Sequence, residues 1–210
     1  MKLYSHYQSS SAWRVRVALH YKQIPFEYAA VNLAKGEQHS DAHRARSPMS
    51  KVPVLELDDG RLLTESLAIL EYLEETHPSP PILPRDPYLR ARTRMLAQMI
   101  NSGIQPFQNL ETRNRVKELG GDPKAWSASW IQAGLAAVEQ VIGATAGAFS
   151  VGESPTMADA CLVPQLATAR RFKVDLAPMP TLRRIDAACA ALPAFAAAHA
   201  DKQPDAPVVG

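Results

Sequence analysis

The chain has 210 residues, of which 46% are hydrophobic, and a formal net charge of +2. This length is sufficient for one large domain or for two small ones, each with its own core. Apart from a basic stretch at residues 85–94, the basic residues are scattered. The sequence lacks the basic stripe with interleaved aromatic residues that is typical of nucleic-acid binding, so no nucleic-acid partner is expected.

Cysteine usage and the amino terminus indicate the compartment. Cys161 and Cys189 each lie among apolar neighbours and are predicted to be free and buried. No CxxC pair and no histidine cluster has the spacing of a metal site, so no metal is expected. The first residues lack the apolar segment of a signal peptide, and no apolar run approaches the roughly 20 residues of a membrane span. We therefore expect a cytoplasmic protein without a membrane partner.

The first eighty residues alternate between short strand and helix patterns. A strand pattern at Lys2–His6 stops at a serine-rich turn, and residues 12–21 then show helical spacing, with Arg14 and Arg16 off the apolar face. Further patterns are a strand at 26–31, a polar helix or turn at 36–45, strands at 52–57 and 61–64 around an Asp59-Gly60 hairpin turn, and a helix at 67–77. This order, βαβ followed by αββα, predicts a thioredoxin-like α/β domain with a mixed four-stranded sheet.

A proline-rich segment then interrupts the pattern, with five prolines between residues 78 and 87. Such a run is incompatible with a helix or a central strand, so it reads as a linker. The patterns that follow are helical only, at 88–119 with a kink at Pro106, and at 126–146, 156–172 and 182–199. The sequence thus predicts a domain at 1–80, a linker at 81–87 and an all-α domain at 88–210, with the tail after Lys202 on the surface.

Thr156-Met157-Ala158-Asp159 has the spacing of a capping box, in which the side chains of Thr156 and Asp159 bond each other's amides. This motif predicts the start of a helix. We interpret it as a folding signal and not as a functional site.

The serine-rich turn, Ser9-Ser10-Ser11, leads from the first strand into the first helix. The amino end of a helix presents unpaired amides and partial positive charge, which favour a bound anion. A serine hydroxyl there can donate to a thiolate and make a cofactor thiol nucleophilic near neutral pH. Ordinary helix capping by serine is the alternative interpretation.

Two further features of the first domain have both a binding and a structural interpretation. Val52-Pro53 opens a strand and is predicted to contain a cis bond that would present the Val52 backbone to an extended peptide ligand; a plain edge-strand proline is the alternative. Glu65-Ser66, at the start of a helix, could bind an amino group and a carboxylate, or could serve as a cap.

The sequence resembles the zeta-class glutathione transferases, the family of the maleylacetoacetate and maleylpyruvate isomerases, over nearly its whole length. The resemblance is carried by residues 9–19, Val52-Pro53, residues 65–69, 103–110, 156–159 and 171–176. It implies a two-domain glutathione-transferase fold, a thioredoxin-like α/β domain followed by an all-α domain, with glutathione as cofactor and a homodimer as the assembly.

The resemblance also implies roles for individual residues. Ser9 matches the hydroxyl that activates the glutathione sulfur, with Ser10 and Ser11 beside it as further catalytic candidates. Arg171 resembles the position proposed to hold a substrate carboxylate, although capping of its helix or pairing with Asp175 is the alternative. The other candidate cofactor-binding residues are Gln38, Val52, Glu65, Ser66, Gln105 and Asn109, of which Gln105 is also expected to face the substrate from the first helix of the second domain.

Three positions depart from the family pattern. Ser11 stands where the family usually has Cys, which speaks against chemistry that needs that thiol. Gln8 stands where many members have Arg, which weakens the expected anchoring of a dianionic substrate. Glu65 replaces the Gln common in the zeta class, although other classes use an acid there to bind the amino group of the cofactor.

The resemblance implies cis–trans isomerisation of a small, carboxylate-bearing maleyl-type diketo acid by reversible thiolate addition. Two alternatives stay open at this point. One is a transferase that conjugates or dehalogenates small electrophiles such as α-haloacids, and the other is a binding module of the same fold without catalysis. Retention of Arg171 and Gln105 favours the isomerase, and retention of the serines and of Glu65-Ser66 speaks against the non-catalytic module.

Overall fold

The computed structural model describes residues 1–207 and divides into two units. Unit 1 consists of Met1–Pro81 and the carboxyl-terminal segment from Leu192, and unit 2 is Ile82–Ala191. No helix in the described part of the chain is long and apolar enough to cross a membrane. Among the same residues, no group of three or more His, Cys, Asp or Glu side chains could hold a metal ion.

Unit 1 contains the predicted mixed four-stranded sheet. The strand order is β2-β1-β3-β4, in which β1 and β2 are parallel and the other neighbours are antiparallel. Its elements are β1 (Lys2–Ser5), α1 (Ser10–Tyr21), β2 (Glu27–Ala30), α2 (Asp41–Arg46), β3 (Val54–Glu56), β4 (Leu62–Thr64) and α3 (Ser66–Thr76). The order of these elements agrees with the predicted one, and the predicted fold class is confirmed.

Helix α1 is the central helix of unit 1, and every residue from Ala12 to Leu19 is buried. Arg14 and Arg16, predicted to lie off the apolar face, are both 0% exposed. A position off the apolar face does not leave them in solvent here, because α1 packs both against α3 and against the carboxyl-terminal helix at Pro193–Ala198. The two guanidinium groups are hydrogen-bonded inside unit 1, as buried charges require.

Unit 2 is helical in its regular structure. Its helices are α4 (Pro87–Asn101), α5 (Leu110–Glu118), α6 (Pro123–Ile142), α7 (Met157–Arg171) and α8 (Pro180–Ala190). The single kinked helix predicted over 88–119 is instead two helices, α4 and α5, separated by a 3-10 turn at Gln105–Gln108. Pro106 lies inside this turn and has no amide hydrogen for an α-helical bond, so the backbone breaks here instead of bending.

The capping box predicted at the start of α7 is present. Asp159 is fully buried, and its carboxylate accepts hydrogen bonds from the Thr156 amide at 2.7 Å and from the Ser150 amide at 2.8 Å. Burial raises the pKa of the Asp159 carboxyl, while these hydrogen bonds oppose that shift. Asp159 thus joins the start of α7 to the loop that precedes it.

The carboxyl-terminal segment departs from the predicted domain boundary. The helix predicted over 182–199 is divided into α8 and α9 (Pro193–Ala198), and the second domain, predicted to span 88–210, corresponds to a unit 2 that ends at Ala191. Helix α9 packs on α1, where Arg16 Nε donates to the Ala198 carbonyl at 3.1 Å. These contacts join the segment to unit 1. The last three residues of the predicted surface tail lie outside the described residues.

The predicted linker at 81–87 is more ordered than its proline content suggested. Ile82 and Leu83 are buried, and the Ile82 carbonyl accepts the Met157 amide at 2.8 Å. Asp86 caps α4 by accepting the Leu89 amide at 2.8 Å, and Pro87 is already the first residue of the helix. Most of this segment therefore belongs to unit 2.

Candidate active site

Ser9 is the residue at which α1 begins. Its backbone is extended, its Oγ accepts the Ala12 amide at 3.2 Å, and its carbonyl accepts the Trp13 amide at 2.8 Å. The Ser9 amide in turn donates to the His6 carbonyl at 3.0 Å, which closes a tight turn between β1 and the helix. The capping interpretation of Ser9 is therefore correct, and it places a half-buried hydroxyl beside the first amides of α1.

The Ser9 hydroxyl is also the first member of a short hydrogen-bonded chain. Its Oγ lies 3.1 Å from Ser11 Oγ, and Ser11 Oγ donates to the Val52 carbonyl at 3.0 Å. A hydroxyl has one hydrogen and a carbonyl can only accept, so the Ser11 hydrogen points at Val52 and Ser9 is the donor to Ser11. Rotation of the Ser9 hydroxyl away from Ser11 would direct its hydrogen towards another acceptor, such as a thiolate. Ser10 is buried and opens the helix itself.

The Val52–Pro53 bond is cis, as predicted. Val52 is buried, and the preceding Lys51 carbonyl lies 2.9 Å from Nε2 of the buried His43. Since Val52 also accepts the Ser11 hydroxyl, the loop before β3 is joined to the start of α1. The serine-rich turn and Val52-Pro53, which are far apart in the sequence, are therefore in direct contact.

Glu65 and Ser66 lie at the start of α3. Glu65 is exposed and has φ +64°, a backbone conformation that a residue with a side chain adopts only at a cost. Ser66 is buried, and its Oγ accepts from Arg14 Nη1 at 3.2 Å. Because Ser66 accepts this bond, its own hydroxyl hydrogen can be donated to a further acceptor.

Gln38 is 7% exposed and lies in a 3-10 turn before α2. Its Nε2 is 3.1 Å from His39 Nε2, whereas its Oε1 is buried without a hydrogen-bond partner in the described structure. An unsatisfied buried acceptor costs about 1–3 kcal/mol, which a ligand N–H group would recover. This observation supports the prediction that Gln38 binds a ligand.

In unit 2, the predicted site residues lie around the break between α4 and α5. Gln105 Nε2 donates to Asn109 Oδ1 at 2.7 Å. Both were predicted on one continuous helix; the structure places them instead at the start of the 3-10 turn and directly before α5. Beneath this turn, the buried side chains of Gln108 and Gln165 exchange two amide hydrogen bonds of 2.9 Å. The turn that carries Gln105 is therefore anchored on α7.

Arg171 is the last residue of α7 and is exposed. Its guanidinium carbon lies 5.5 Å from the centre of the Phe172 ring, and that of Arg113 lies 5.6 Å from the same ring. The Asp175 carboxylate, named as an alternative partner for Arg171, accepts the Ala177 amide at 2.9 Å. Arg113 was not identified from the sequence, because it is one of several charged residues of a polar helix and no motif distinguishes it.

No role was predicted for Arg14 and Arg16, although both lie within residues 9–19, one of the segments that carry the family resemblance. Arg14 joins α1 to Ser66, and Arg16 bonds the main chain of the turn before Ser9. Two arginines among apolar residues of a helix were the available signal. Helical spacing placed them off the apolar face and gave no indication of their partners.

Comparison with known proteins identifies the fold. The model of the glutathione S-transferase N-terminal domain matches residues 3–81. Probable maleylacetoacetate isomerase 2 of Drosophila melanogaster is 47% identical over 98% of this chain and 90% of its own length. A maleylacetoacetate isomerase from Anaeromyxobacter dehalogenans 2CP-1, solved with glutathione in the active site, has 54% identity and a TM-score of 0.90, with 98% of this chain and 97% of that chain covered.

Two further solved structures bear on the ligands of the relatives. Another structure of the Anaeromyxobacter protein contains dicarboxyethyl glutathione and citrate in the active site, with 53% identity, a TM-score of 0.90 and coverage of 99% and 94%. The holo structure of a maleylpyruvate isomerase, a bacterial glutathione transferase of the zeta class, has 42% identity, a TM-score of 0.95 and coverage of 99% and 100%. The fold is thus that of a glutathione transferase. Within this class, the chain belongs to the family of the zeta-class maleylacetoacetate and maleylpyruvate isomerases.

Proposed function

We propose that the chain catalyses the glutathione-dependent cis–trans isomerisation of a maleyl-type diketo acid, maleylacetoacetate or maleylpyruvate. The observation that carries this proposal is the Ser9 hydroxyl at the amino end of α1, in contact with Ser11 and, through it, with the Val52 carbonyl. The relatives named as isomerases support the reaction. The structures with bound glutathione support the cofactor.

The first task of the protein is to generate a thiolate. The Ser9 hydroxyl donates a hydrogen bond to the glutathione sulfur, and the first amides of α1 add partial positive charge. Both interactions favour the charged form of the thiol and lower its pKa. Ser10 and Ser11 follow Ser9 in the chain, and Ser11 accepts the Ser9 hydrogen when no thiolate competes for it.

The remaining contacts hold the peptide part of the cofactor. Glu65 pairs with the amino group of the γ-glutamyl end, and Ser66 donates to its carboxylate. The Val52 backbone bonds the extended peptide, and Gln38 satisfies its buried Oε1 on a ligand N–H group. Gln105 and Asn109 are the other two residues that the resemblance assigns to the cofactor.

The reaction itself requires a temporary loss of the double bond. The thiolate adds its electron pair to an alkene carbon conjugated with the ketone, and the π electrons move onto the ketone oxygen as an enolate. Rotation about the resulting single bond follows. The enolate then re-forms the alkene in the trans geometry and expels the thiolate, so glutathione is regenerated.

Arg171 binds a substrate carboxylate in this proposal. A guanidinium group is permanently charged and presents a planar fork of donors that matches a carboxylate. By fixing the carboxylate, it confines rotation to the other end of the adduct, and its charge stabilises the enolate. Gln105 is assigned a contact with the same substrate.

The experiment that tests the function is turnover of maleylacetoacetate and of maleylpyruvate with glutathione at substoichiometric concentration. An isomerase converts many substrate molecules per glutathione and leaves the free thiol concentration unchanged. Consumption of one thiol per product would instead assign the chain to the conjugating or dehalogenating transferases. If both activities are absent and glutathione still binds tightly, the chain is a non-catalytic module.

The homodimer implied by the resemblance and the cytoplasmic location expected from the sequence belong to this proposal. Sedimentation of the purified protein tests the first, and fractionation of the source cells tests the second.

A further inference from the structure

The turn that carries Ser9, residues 6–9, is held by two charged side chains, Arg16 of α1 and Asp205 of the carboxyl-terminal segment. Its own closing bond is that from the Ser9 amide to the His6 carbonyl. The His6 and Tyr7 carbonyls accept from Arg16 at 3.3 and 2.9 Å, and the Tyr7 amide donates to Asp205 Oδ2 at 3.0 Å. The main chain of the turn is therefore bonded on both sides.

Arg16 connects this turn to two other segments. In addition to the turn carbonyls, it donates from Nη1 to Ser5 Oγ at 3.0 Å and from Nε to the Ala198 carbonyl at 3.1 Å. All three guanidinium nitrogens are used, in a geometry that a lysine ammonium cannot reproduce. Burial lowers the pKa of Arg16 to about 10, with a partly opposing effect from the charge of Asp205. The side chain is a buried cation whose direct partners in this network are neutral acceptors.

Asp205 supplies the negative charge on the other side of the turn. Its Oδ1 accepts the Tyr28 hydroxyl at 2.6 Å, and its Oδ2 also lies 3.4 Å from His6 Nδ1. The Asp205 side chain is only 16% exposed, although it follows the last helix of the chain. Three elements of unit 1, namely β2, the Ser9 turn and the carboxyl-terminal segment, meet at this carboxylate.

We propose that Arg16 and Asp205 are positioning residues for catalysis, which hold the Ser9 turn so that the Ser9 hydroxyl and the first amides of α1 point at the glutathione sulfur. The carboxyl-terminal segment thereby takes part in sulfur activation from within unit 1. This inference rests on the proposed function. It extends that function to residues that have no assigned contact with cofactor or substrate.

The test compares wild-type protein with Asp205→Ala, Asp205→Asn and Arg16→Lys. The ultraviolet absorbance of the thiolate, followed against pH, gives the pKa of the bound glutathione thiol, and steady-state kinetics give kcat and KM. For Asp205→Ala we expect the thiol pKa to rise by about one unit, with a fall in kcat of about tenfold below that pKa. The KM for glutathione should change much less, because the peptide-binding residues are untouched. Asp205→Asn keeps one acceptor oxygen, so its thiol pKa and kcat should lie between those of wild type and Asp205→Ala.

Two control variants separate positioning from general stability. Leu73→Ala removes a fully buried side chain of α3, so it lowers the thermal midpoint without touching the turn. Asp59→Ala removes an acid that pairs with Arg61 on the hairpin. Neither should shift the thiol pKa. Arg16→Lys is included only if it folds, and if it does not fold, Asp205→Asn carries the test.

Three results would overturn the proposal. A wild-type thiol pKa and kcat in Asp205→Ala would do so while leaving the isomerase function intact. A loss of activity that follows the folded fraction, as in Leu73→Ala, would show a structural role only. Failure of the wild-type protein to lower the thiol pKa at all would remove the proposed function together with this inference.

Discussion

Lys22 and Glu74 form a buried ion pair that joins the end of α1 to the end of α3, with 2.7 Å between Nζ and Oε2. The Lys22 side chain is 0% exposed, and its ammonium group also donates to the His77 and Pro80 carbonyls at 2.7 and 2.8 Å. All three hydrogens of the ammonium group are therefore used. The pair fastens the segment after α3 to the body of unit 1.

Lys22→Met should destabilise the protein strongly. Removal of one partner leaves a buried carboxylate and two carbonyls without their donor, an effect of about 3–5 kcal/mol on the free energy of unfolding. Denaturation with urea measures it. Lys2→Met is the matched control, because Lys2 pairs with Glu27 at 2.8 Å on the surface, where solvent screens the interaction. If Lys22→Met and Lys2→Met lower the free energy of unfolding equally, burial does not explain the contribution of the Lys22–Glu74 pair.

Ser9→Ala should reduce turnover by about tenfold to a few hundredfold, since a hydrogen bond to an anion contributes about 1.5–3 kcal/mol. The structure adds a complication, because Ser9 also caps α1 and its loss costs about 1 kcal/mol of stability. Ser9→Gly removes the hydroxyl but retains most of the capping stability. Its turnover should be reduced as much as that of Ser9→Ala, and it should be more stable. An active Ser9→Gly enzyme would transfer the role to Ser10 or Ser11.

Glu65→Gly should weaken glutathione binding about tenfold or more, because a hydrogen bond between charged groups contributes about 1.5–3 kcal/mol. At φ +64° glycine is the residue without strain, so the stability of this variant should equal or exceed that of wild type. Calorimetric titration and thermal unfolding measure the two effects. Glu65→Ala should lose the same affinity without the gain in stability. Wild-type affinity in both variants would remove the γ-glutamyl assignment.

Arg171→Ala should separate the isomerase from a general transferase. Isomerisation of a maleyl-type diacid should fall strongly, whereas conjugation of a neutral electrophile such as a chloronitrobenzene should be spared. Arg170→Ala is the control, since its neighbouring guanidinium group pairs with Asp186 and has no assigned substrate contact. It should leave both activities near wild type. Equal effects of Arg171→Ala on the two reactions would show that the substrate-carboxylate role is wrong.

Local interactions explain what could be predicted from the sequence. The strand and helix order of unit 1, the cap at Ser9, the cis bond at Val52–Pro53 and the Thr156–Asp159 capping box depend on residues within a few positions of each other. Propensity, turn chemistry and spacing act over this range. The family and its fold also followed from the sequence, since the motifs lie in short contiguous blocks, and the comparisons confirm both.

Tertiary packing decided the rest. Arg16 has the spacing of a residue off the apolar face, and the segment from Leu192 supplies the Ala198 carbonyl to its buried Nε. Asp205 lies in a proline-rich tail without helical or strand pattern. Its hydrogen-bond partners Tyr7 and Tyr28 precede it by 198 and 177 residues in the sequence. No local preference encodes such pairs, because each becomes favourable only when burial removes the competing water. The sequence alone thus determined the position of the Ser9 turn and its cap on α1. The tertiary structure decided which groups, Arg16 and Asp205, hold that turn in place.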